Sequence, residues 1–358
     1  MKATESAALT HAVDALPQVL RGVVDRWLQR LDAAGGCVGS VPASARTLLR
    51  LVACSEFASG VLLRDWPWFA EHAADMEAPR KPEMLSGFAD AVACSDETPE
   101  VVMQRLRRFR NRYLLGLLWR EIAGVTAVEE TLTSLSDLAD HLLDAAARYA
   151  QRRLQERFGL VRNARGTPQS IVILGMGKLG GRELNFSSDV DLIFLYPEGE
   201  ESDGERRLSA PEYFARLAHE IVALLDEVTG DGFVFRVDTR LRPFGESGPP
   251  VVSFAALESY LLQHGRGWER YAYVKARIVG PVPAAAVAAE LRDDLVTPFV
   301  YRRYLDFGVF ESLREMQALI AAEVRRRDLA DNLKLGPGGI REIEFIVQSL
   351  ESHKCHKA

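Results

Sequence analysis

A mostly helical α+β fold built around one small mixed sheet is what this sequence predicts, and three features predict it. Apolar residues recur every three or four positions through residues 9–158, the period of a buried helix face. The stretch from Gln169 to Tyr196 carries two short apolar runs around a glycine-rich turn, the pattern of strands joined by a tight connection. From Pro283 the helical period returns. These shifts divide the chain into a helical region 1–162, a mixed core 163–282 and a C-terminal helical region 283–358.

The first region reads as helix after helix. Leu9, Val13, Leu16, Leu20, Val24, Trp27 and Leu31 share a face. Pro17 marks a kink or a helix start within it, and Gly35-Gly36 closes it. Ser44 is placed to cap a second helix carrying Leu48, Leu49 and Val52. Pro67, between two tryptophans, reads as a break. A third helix fits Val101 to Ile122 and ends before Gly124; a fourth runs from Leu132 to Gly159, so that about six helices are expected. Arg105, Arg107, Arg108, Arg110 and Arg112 form a basic run on the third, read as a solvated face paired with nearby acids.

After the linker-like Asn163 to Pro168, Ile171 to Leu174 reads as a buried strand. A second strand begins at Ser188-Asp189 and ends in the apolar run Leu192 to Tyr196. An acidic surface loop follows from Pro197 to Ser209, then a helix from Pro211 to Val228. A third strand is expected over Phe233 to Arg242. Pro249 to Gly280 reads as helical with an interruption at Gly265-Arg-Gly267. Arg325 to Arg327 reads as a solvated helix end. Gly336-Pro-Gly-Gly339 opens a last helix with Ile340, Ile343, Val347 and Leu350 on its buried side.

Composition narrows the function classes. Over 358 residues, 47% apolar and 26% charged content is that of an ordinary globular protein. No run of eighteen apolar residues is present, so no membrane span is expected. The start MKATESAALTHAV has no signal-peptide pattern, which points to a cytoplasmic protein. The four cysteines, Cys37, Cys54, Cys94 and Cys355, form no CxxC pair; reduced, mostly buried thiols are expected, with no metal framework. A net charge of −6 speaks against a nucleic-acid binder.

The chemistry concentrates in three acids. Side chains two apart on a strand share a face. Asp189 and Asp191 are thus expected side by side, roughly 6–7 Å apart at Cα. That spread suits one or two hard divalent cations, since paired catalytic metals sit about 3.5–4 Å apart. On the third strand, Arg236, Asp238, Arg240 and Arg242 share the face opposite Phe233, Phe235, Val237 and Leu241. A carboxylate among three arginines is not a core pattern and makes Asp238 the candidate third ligand, beside phosphate-binding forks. Gly175-x-Gly177-x-x-Gly180 also matches the dinucleotide fingerprint. Only about nine residues separate this turn from the next strand, too few for a crossover helix. The turn reads instead as a phosphate cradle, with Lys178 adding a charge.

A glycine turn followed twelve residues later by Ser-Asp-x-Asp, with a third Asp on a later strand, resembles the nucleotidyltransferase superfamily of DNA polymerase beta. Gly177 matches the glycine of that turn; Lys178 departs from it, standing where the superfamily has Ser. The strings GMGKLGGRELNFSSDVDLIFLY, FRVDTRLRPFGESGP, WERYAYVKAR and KLGPGGIREIEFIVQ narrow the resemblance to the glutamine synthetase adenylyltransferase/adenylyl-removing enzyme family, over about residues 165–350. The single Ser-Asp-x-Asp motif after a helical leader resembles the N-terminal half, which in that family removes the adenylyl group.

The resemblance implies a polymerase-beta-like core with Asp189, Asp191 and Asp238 holding Mg²⁺, two ions being expected. It implies Gly177, Lys178, Gly180, Ser188, Arg240 and Arg242 about the nucleotide and phosphate, and more weakly Lys275 and Glu344. Asp238 is further expected to help deprotonate an attacking phosphate. The implied partners are glutamine synthetase as protein substrate, a PII-type nitrogen signal protein, ADP or ATP and inorganic phosphate, with no nucleic acid and no membrane. The implied reaction is metal-dependent phosphorolysis of adenylylated tyrosine. Addition of AMP from ATP to a protein or small molecule, and a regulatory module without catalysis, stand as alternatives.

Overall fold

A computed structural model describes residues 11–40, 45–79 and 81–301, isolated positions between 318 and 326, and 332–351 except 335 and 337. Ser44, Cys355 and most of the segment around Arg325 to Arg327 lie outside the described residues.

Seven helices fill the described part of the leader: α1 (Gln18–Ala33), α2 (Ala45–Cys54), α3 (Glu56–Arg64), α4 (Trp66–His72), α5 (Pro82–Ala93), α6 (Pro99–Ala123) and α7 (Val128–Phe158). Pro17 stands at the N-cap of α1, so it starts a helix. Pro67 does not break a helix. It sits in the first turn of α4, where its missing N–H costs nothing; the break falls at Asp65. Helices α6 and α7 end as the sequence suggests, on Gly124 and Gly159, both at φ +74°. Glycine reaches that left-handed region without a Cβ penalty.

Five short strands follow: β1 (Val172–Gly175), β2 (Val190–Tyr196), β3 (Val237–Asp238), β4 (Val251–Ser253) and β5 (Arg277–Val279). β1 pairs antiparallel with β2 and β5. β3 and β4 pair parallel with successive parts of β2. The sheet is therefore mixed. Between its strands lie a one-turn helix α8 (Gly177–Gly180), α9 (Ala210–Asp226), α10 (Phe254–Gln263) and α11 (Gly267–Tyr273). After β5 come α12 (Ala285–Ala289), a π-helical stretch (Glu290–Val296), α13 (Thr297–Val300) and α14 (Ile340–Glu351).

Two expectations are corrected, one of a strand and one of a helical stretch. Phe233 to Arg242 is not one long strand: only Val237–Asp238 pairs, because Thr239 to Arg242 turns away into a loop. Pro249 to Gly280 is helical over α10 and α11, on either side of the expected interruption, but not at its ends. It opens as β4 and closes as β5, with Lys275 in the turn and Arg277 on the strand. The burial expected of the cysteines also fails: Cys37, Cys54 and Cys94 are in no disulfide but all exposed. On α14, Ile340, Ile343 and Val347 are exposed instead of buried.

The sheet is buried on both faces, which explains the nearly unbroken apolar run of β2. Val190, Leu192, Phe194 and Tyr196 face a core shared with α5, α6, α7 and α9. Ile193 and Leu195 face a second core with α10 and residues 291–300. The first core runs across position 162, since Leu142, Ala146 and Leu154 of α7 belong to it along with Ile173 of β1. A third core joins α1–α4 to Leu115 and Trp119 of α6. Each fully buried Leu or Phe contributes about 1.5–3 kcal/mol, so long α6 and α7 are held by packing along most of their length.

The basic run of α6 departs from the expected solvated face. Arg105 and Arg112 do pair with Glu97 and Asp65. Arg107, however, is fully buried. It donates to the carbonyls of Met103 (2.9 Å), Leu224 (3.0 Å), Gly232 (2.8 Å) and Glu227. These include carbonyls at the C-terminal end of α9, which lack partners within the helix and attract a cation.

Candidate active site

Asp191 is the second residue of β2 and Asp238 the last of β3; the parallel register sets them opposite each other. Neighbouring strands run about 4.8 Å apart, so the two carboxylates share one end of the sheet. Asp189 lies just ahead of β2 and is exposed. By alternation Asp191 falls on the face of Ile193 and Leu195, at the end of β2 where the apolar cover stops. Burial, together with repulsion from Asp238 and Asp189, pushes the Asp191 carboxyl up to about 6. The three acids therefore feel one another.

Arginines hold the other two. The Arg236 Nε donates to Asp189 at 2.6 Å. Arg240 donates its backbone N–H to Asp238 Oδ1 at 2.8 Å and its Nε to both carboxylate oxygens at 2.9–3.0 Å. This bonding keeps the Asp238 carboxyl below the usual carboxylate range. Among the described residues, no three His, Cys, Asp or Glu side chains converge as a metal-holding group. Asp189 and Asp238 are turned onto their arginines instead.

The glycine turn abuts Asp191. Gly177 has φ +53°, and a Cβ there would sit 3.1 Å from Asp191 Oδ2. Backbone conformation and space both call for glycine. A Cβ on Gly180 would lie 2.0 Å from the Lys275 carbonyl oxygen, which makes α8 fit against the chain before β5. Arg277 fastens this contact. It donates to the carbonyls of Leu179 (3.0 Å) and Gly180 (3.2 Å) while forking onto Asp140 of α7 at 2.7 and 3.1 Å. Burial raises the Asp140 carboxyl, with Arg277 opposing it.

The remaining expected residues divide. Lys178 is partly exposed beside Gly177. Ser188 donates its hydroxyl to the Asn185 side chain and so shapes the turn into Asp189. Arg242 is near enough to act on Asp238, although its guanidinium bonds Thr239 at 2.9–3.0 Å within the loop. Lys275 is not brought to the acids: its ammonium pairs with Glu183 at 2.7 Å. Glu344 is half-buried on α14, and among the described residues no contact joins it to the three acids. Sequence reasoning missed Lys334, whose charge acts on Asp191, and the clamp residue Arg277. Both lie in the strings that carry the resemblance, which is the signal that was there to use.

These elements define a class: a mostly helical α+β protein whose small mixed sheet presents acids at one end, beside a glycine turn and several cations. The chain belongs to the family described as Glutamate-ammonia ligase adenylyltransferase, whose family model matches residues 45–292. A second family model, described as GlnD PII-uridylyltransferase, matches residues 314–357. The chain is similar to proteins named bifunctional glutamine synthetase adenylyltransferase/adenylyl-removing enzyme. With that of Shewanella frigidimarina it is 56% identical over 253 residues, 70% of this chain and 26% of the relative. With that of Pseudomonas aeruginosa it is 48% identical over 308 residues, 84% and 31%. With that of Stenotrophomonas maltophilia (strain K279a) it is 45% identical over 344 residues, 96% and 35%. The chain thus spans about a quarter to a third of the length of these relatives. Among the described residues no helix is long and apolar enough to cross a membrane.

Proposed function

We propose that this chain removes AMP from the adenylylated tyrosine of glutamine synthetase by phosphorolysis, as the adenylyl-removing half of a longer enzyme. The observation that carries the reading is the register of Asp191 opposite Asp238, with Asp189 two residues away and arginines on both flanks. A phosphate oxygen attacks the AMP phosphorus, the bond from phosphorus to the tyrosine oxygen breaks, and the proton of the phosphate passes to that oxygen. The products are ADP and free tyrosine.

Asp189, Asp191 and Asp238 would hold Mg²⁺, and their all-oxygen donor set fits a hard cation. When bound, that ion supplies neutralisation of charge developing on the transferred phosphoryl group. The chain's own residues do the positioning. Arg236 and Arg240 exchange their carboxylates for phosphate oxygens, which suits planar forks. Lys178 and Lys334 add positive charge, and the bare Gly177 keeps Asp191 accessible. Glutamine synthetase and a PII-type signal protein are the partners this reading requires, and the cytoplasm is the compartment where they meet.

Incubating the chain with adenylylated glutamine synthetase and Mg²⁺, with and without phosphate, tests the proposal. ADP formed only with phosphate is the expected product. AMP as main product would mean hydrolysis. Labelling of unmodified glutamine synthetase from ATP would mean the adding half. The pairing of Asp189 and Asp238 with arginines favours one second reading, a regulatory module without catalysis; absence of turnover with intact binding of glutamine synthetase would establish it.

A further inference from the structure

A cavity of about 400 Å³ lies between the helical leader and the segment leading into Asp189. Its walls are mainly Phe57, Leu114, Leu135, Leu184, Phe233 and Phe235. Into this apolar setting α6 inserts Arg110. The guanidinium sits 5.3 Å from the Phe57 ring centre and 5.7 Å from that of Phe233. One of its Nη groups donates to the Asn111 amide oxygen at 3.0 Å, while its buried Nε has no hydrogen-bond partner among the described residues.

Arg110 differs in this from its neighbours. Arg105, Arg108 and Arg112 each face a carboxylate, and buried Arg107 has four carbonyls. Burial alone lowers Arg110 to about 10, with no carboxylate acting against it. A buried cation without a counter-charge is costly, and a carboxylate reaching the guanidinium from the cavity would supply one.

We infer that this cavity is a binding site for a small organic carboxylate with an apolar body, its carboxylate on Arg110 and its body against the phenylalanine rings. Beside Arg110 the walls are the rings of Phe57 and Phe233, which offer a hydrated inorganic dianion nothing to replace its water, and the volume lies within the range of small-molecule pockets. Asn185, Ser187, Ser188 and Arg236 close the end nearest the acids. Arg236 is the partner of Asp189, so a ligand here bears directly on the loop that sets the position of that carboxylate. The cavity shares Ser188 and Arg236 with the site of the proposed reaction, and its test reads binding alone.

Saturation-transfer NMR on the full chain, with phenylacetate as probe, tests it against phenylacetamide and inorganic phosphate. Signal transfer to the phenylacetate ring is expected, with the neutral amide weaker by at least about tenfold, the loss of one charge-assisted fork. Phosphate is expected not to displace the probe. Equal binding of acid and amide would overturn the proposal by showing an apolar pocket with no role for Arg110. Displacement by phosphate would overturn it in favour of an inorganic anion site. Arg110→Gln should abolish the phenylacetate signal with an unchanged circular dichroism spectrum. Should that variant not fold, Leu118→Phe, which fills the cavity from its α6 wall, decides: loss of the signal supports the site and retention overturns it.

Discussion

Asp191→Asn should make this protein more stable in metal-free buffer at neutral pH. Asp191 is half-buried and faces two other acids, so ionising it in the folded state is unfavourable. Raising its carboxyl from the usual 3.8 to about 6 bounds that cost at about 3 kcal/mol. The group is partly open to water, and screening reduces the figure to about 1–1.5 kcal/mol. The sign follows from linkage. Below pH 3.8 the carboxyl is protonated folded and unfolded alike, and no cost arises. Between 3.8 and about 6 the unfolded chain gives up the proton while the folded protein still holds it, so stability falls across that window and levels off above it.

The asparagine variant escapes that loss. In EDTA at pH 7.5 its melting temperature should exceed wild type by about 1–2 °C. At pH 5 the gain should shrink to about half. Millimolar Mg²⁺ should raise the melting temperature of the wild type and narrow the gap, since a cation relieves the same repulsion. Differential scanning fluorimetry at the two pH values, with and without Mg²⁺, measures all of this. A variant that melts at or below wild type at pH 7.5, or a gain that ignores pH, would refute the electrostatic account of the acids.

Gly180→Ala should destabilise by about 2–3 kcal/mol and abolish turnover, because the Lys275 carbonyl 2.0 Å away is backbone and cannot step aside; urea unfolding checks it. Arg107→Met should cost about 3 kcal/mol, because the carbonyls of Leu224 and Glu227 lose their buried side-chain donor while that of Gly232 keeps its bonds from Thr229, and faster amide exchange at residues 227–232 is the local signature. Asp140→Asn should cost about 2 kcal/mol by leaving Arg277 without its carboxylate and should lower activity through a displaced α8, whereas Arg240→Ala should leave stability nearly unchanged, the Arg240 side chain itself being exposed, while raising the phosphate concentration needed for half-maximal rate.

The helices were readable wherever an apolar period ran long and ended on a glycine, as in α6 and α7. The missed α3 and α5 are short and interrupted by Gly60 and Gly87, which blurs the period. β2 was readable because burial on both faces leaves a single apolar run broken by Asp191. The third strand misled because Arg236 to Arg242 alternates like a strand, although only two of its residues find a partner. Alternation reports which side a residue would face, not whether an edge is available to pair with. The same holds for Lys275 and Arg277. Their surroundings come from Glu183 and Asp140, 92 and 137 positions away, and no local pattern carries that information.

The position of Asp238 depends on the helical leader more than its own sequence suggests. Two paired residues cannot fix a strand by themselves. What fixes β3 is the turn before it, and that turn is held from α6: Arg107 bonds the carbonyls of Glu227 and Gly232, and Asn111 that of Asp231 at 3.2 Å. Val234 and Phe235 then bond back to Leu225 at the end of α9. Val237 follows, its backbone N–H donating to Asp226 Oδ1 at 3.3 Å. The register that sets Asp238 opposite Asp191 is thus the end of a chain of contacts that starts on a helix about 130 residues earlier. Arg107 and Asn111 stand four apart on the face of α6 turned to this turn, the spacing at which two helix side chains act together. The basic run on α6 is therefore divided by face: one side meets water and acids, and the other builds the end of the sheet where the carboxylates stand.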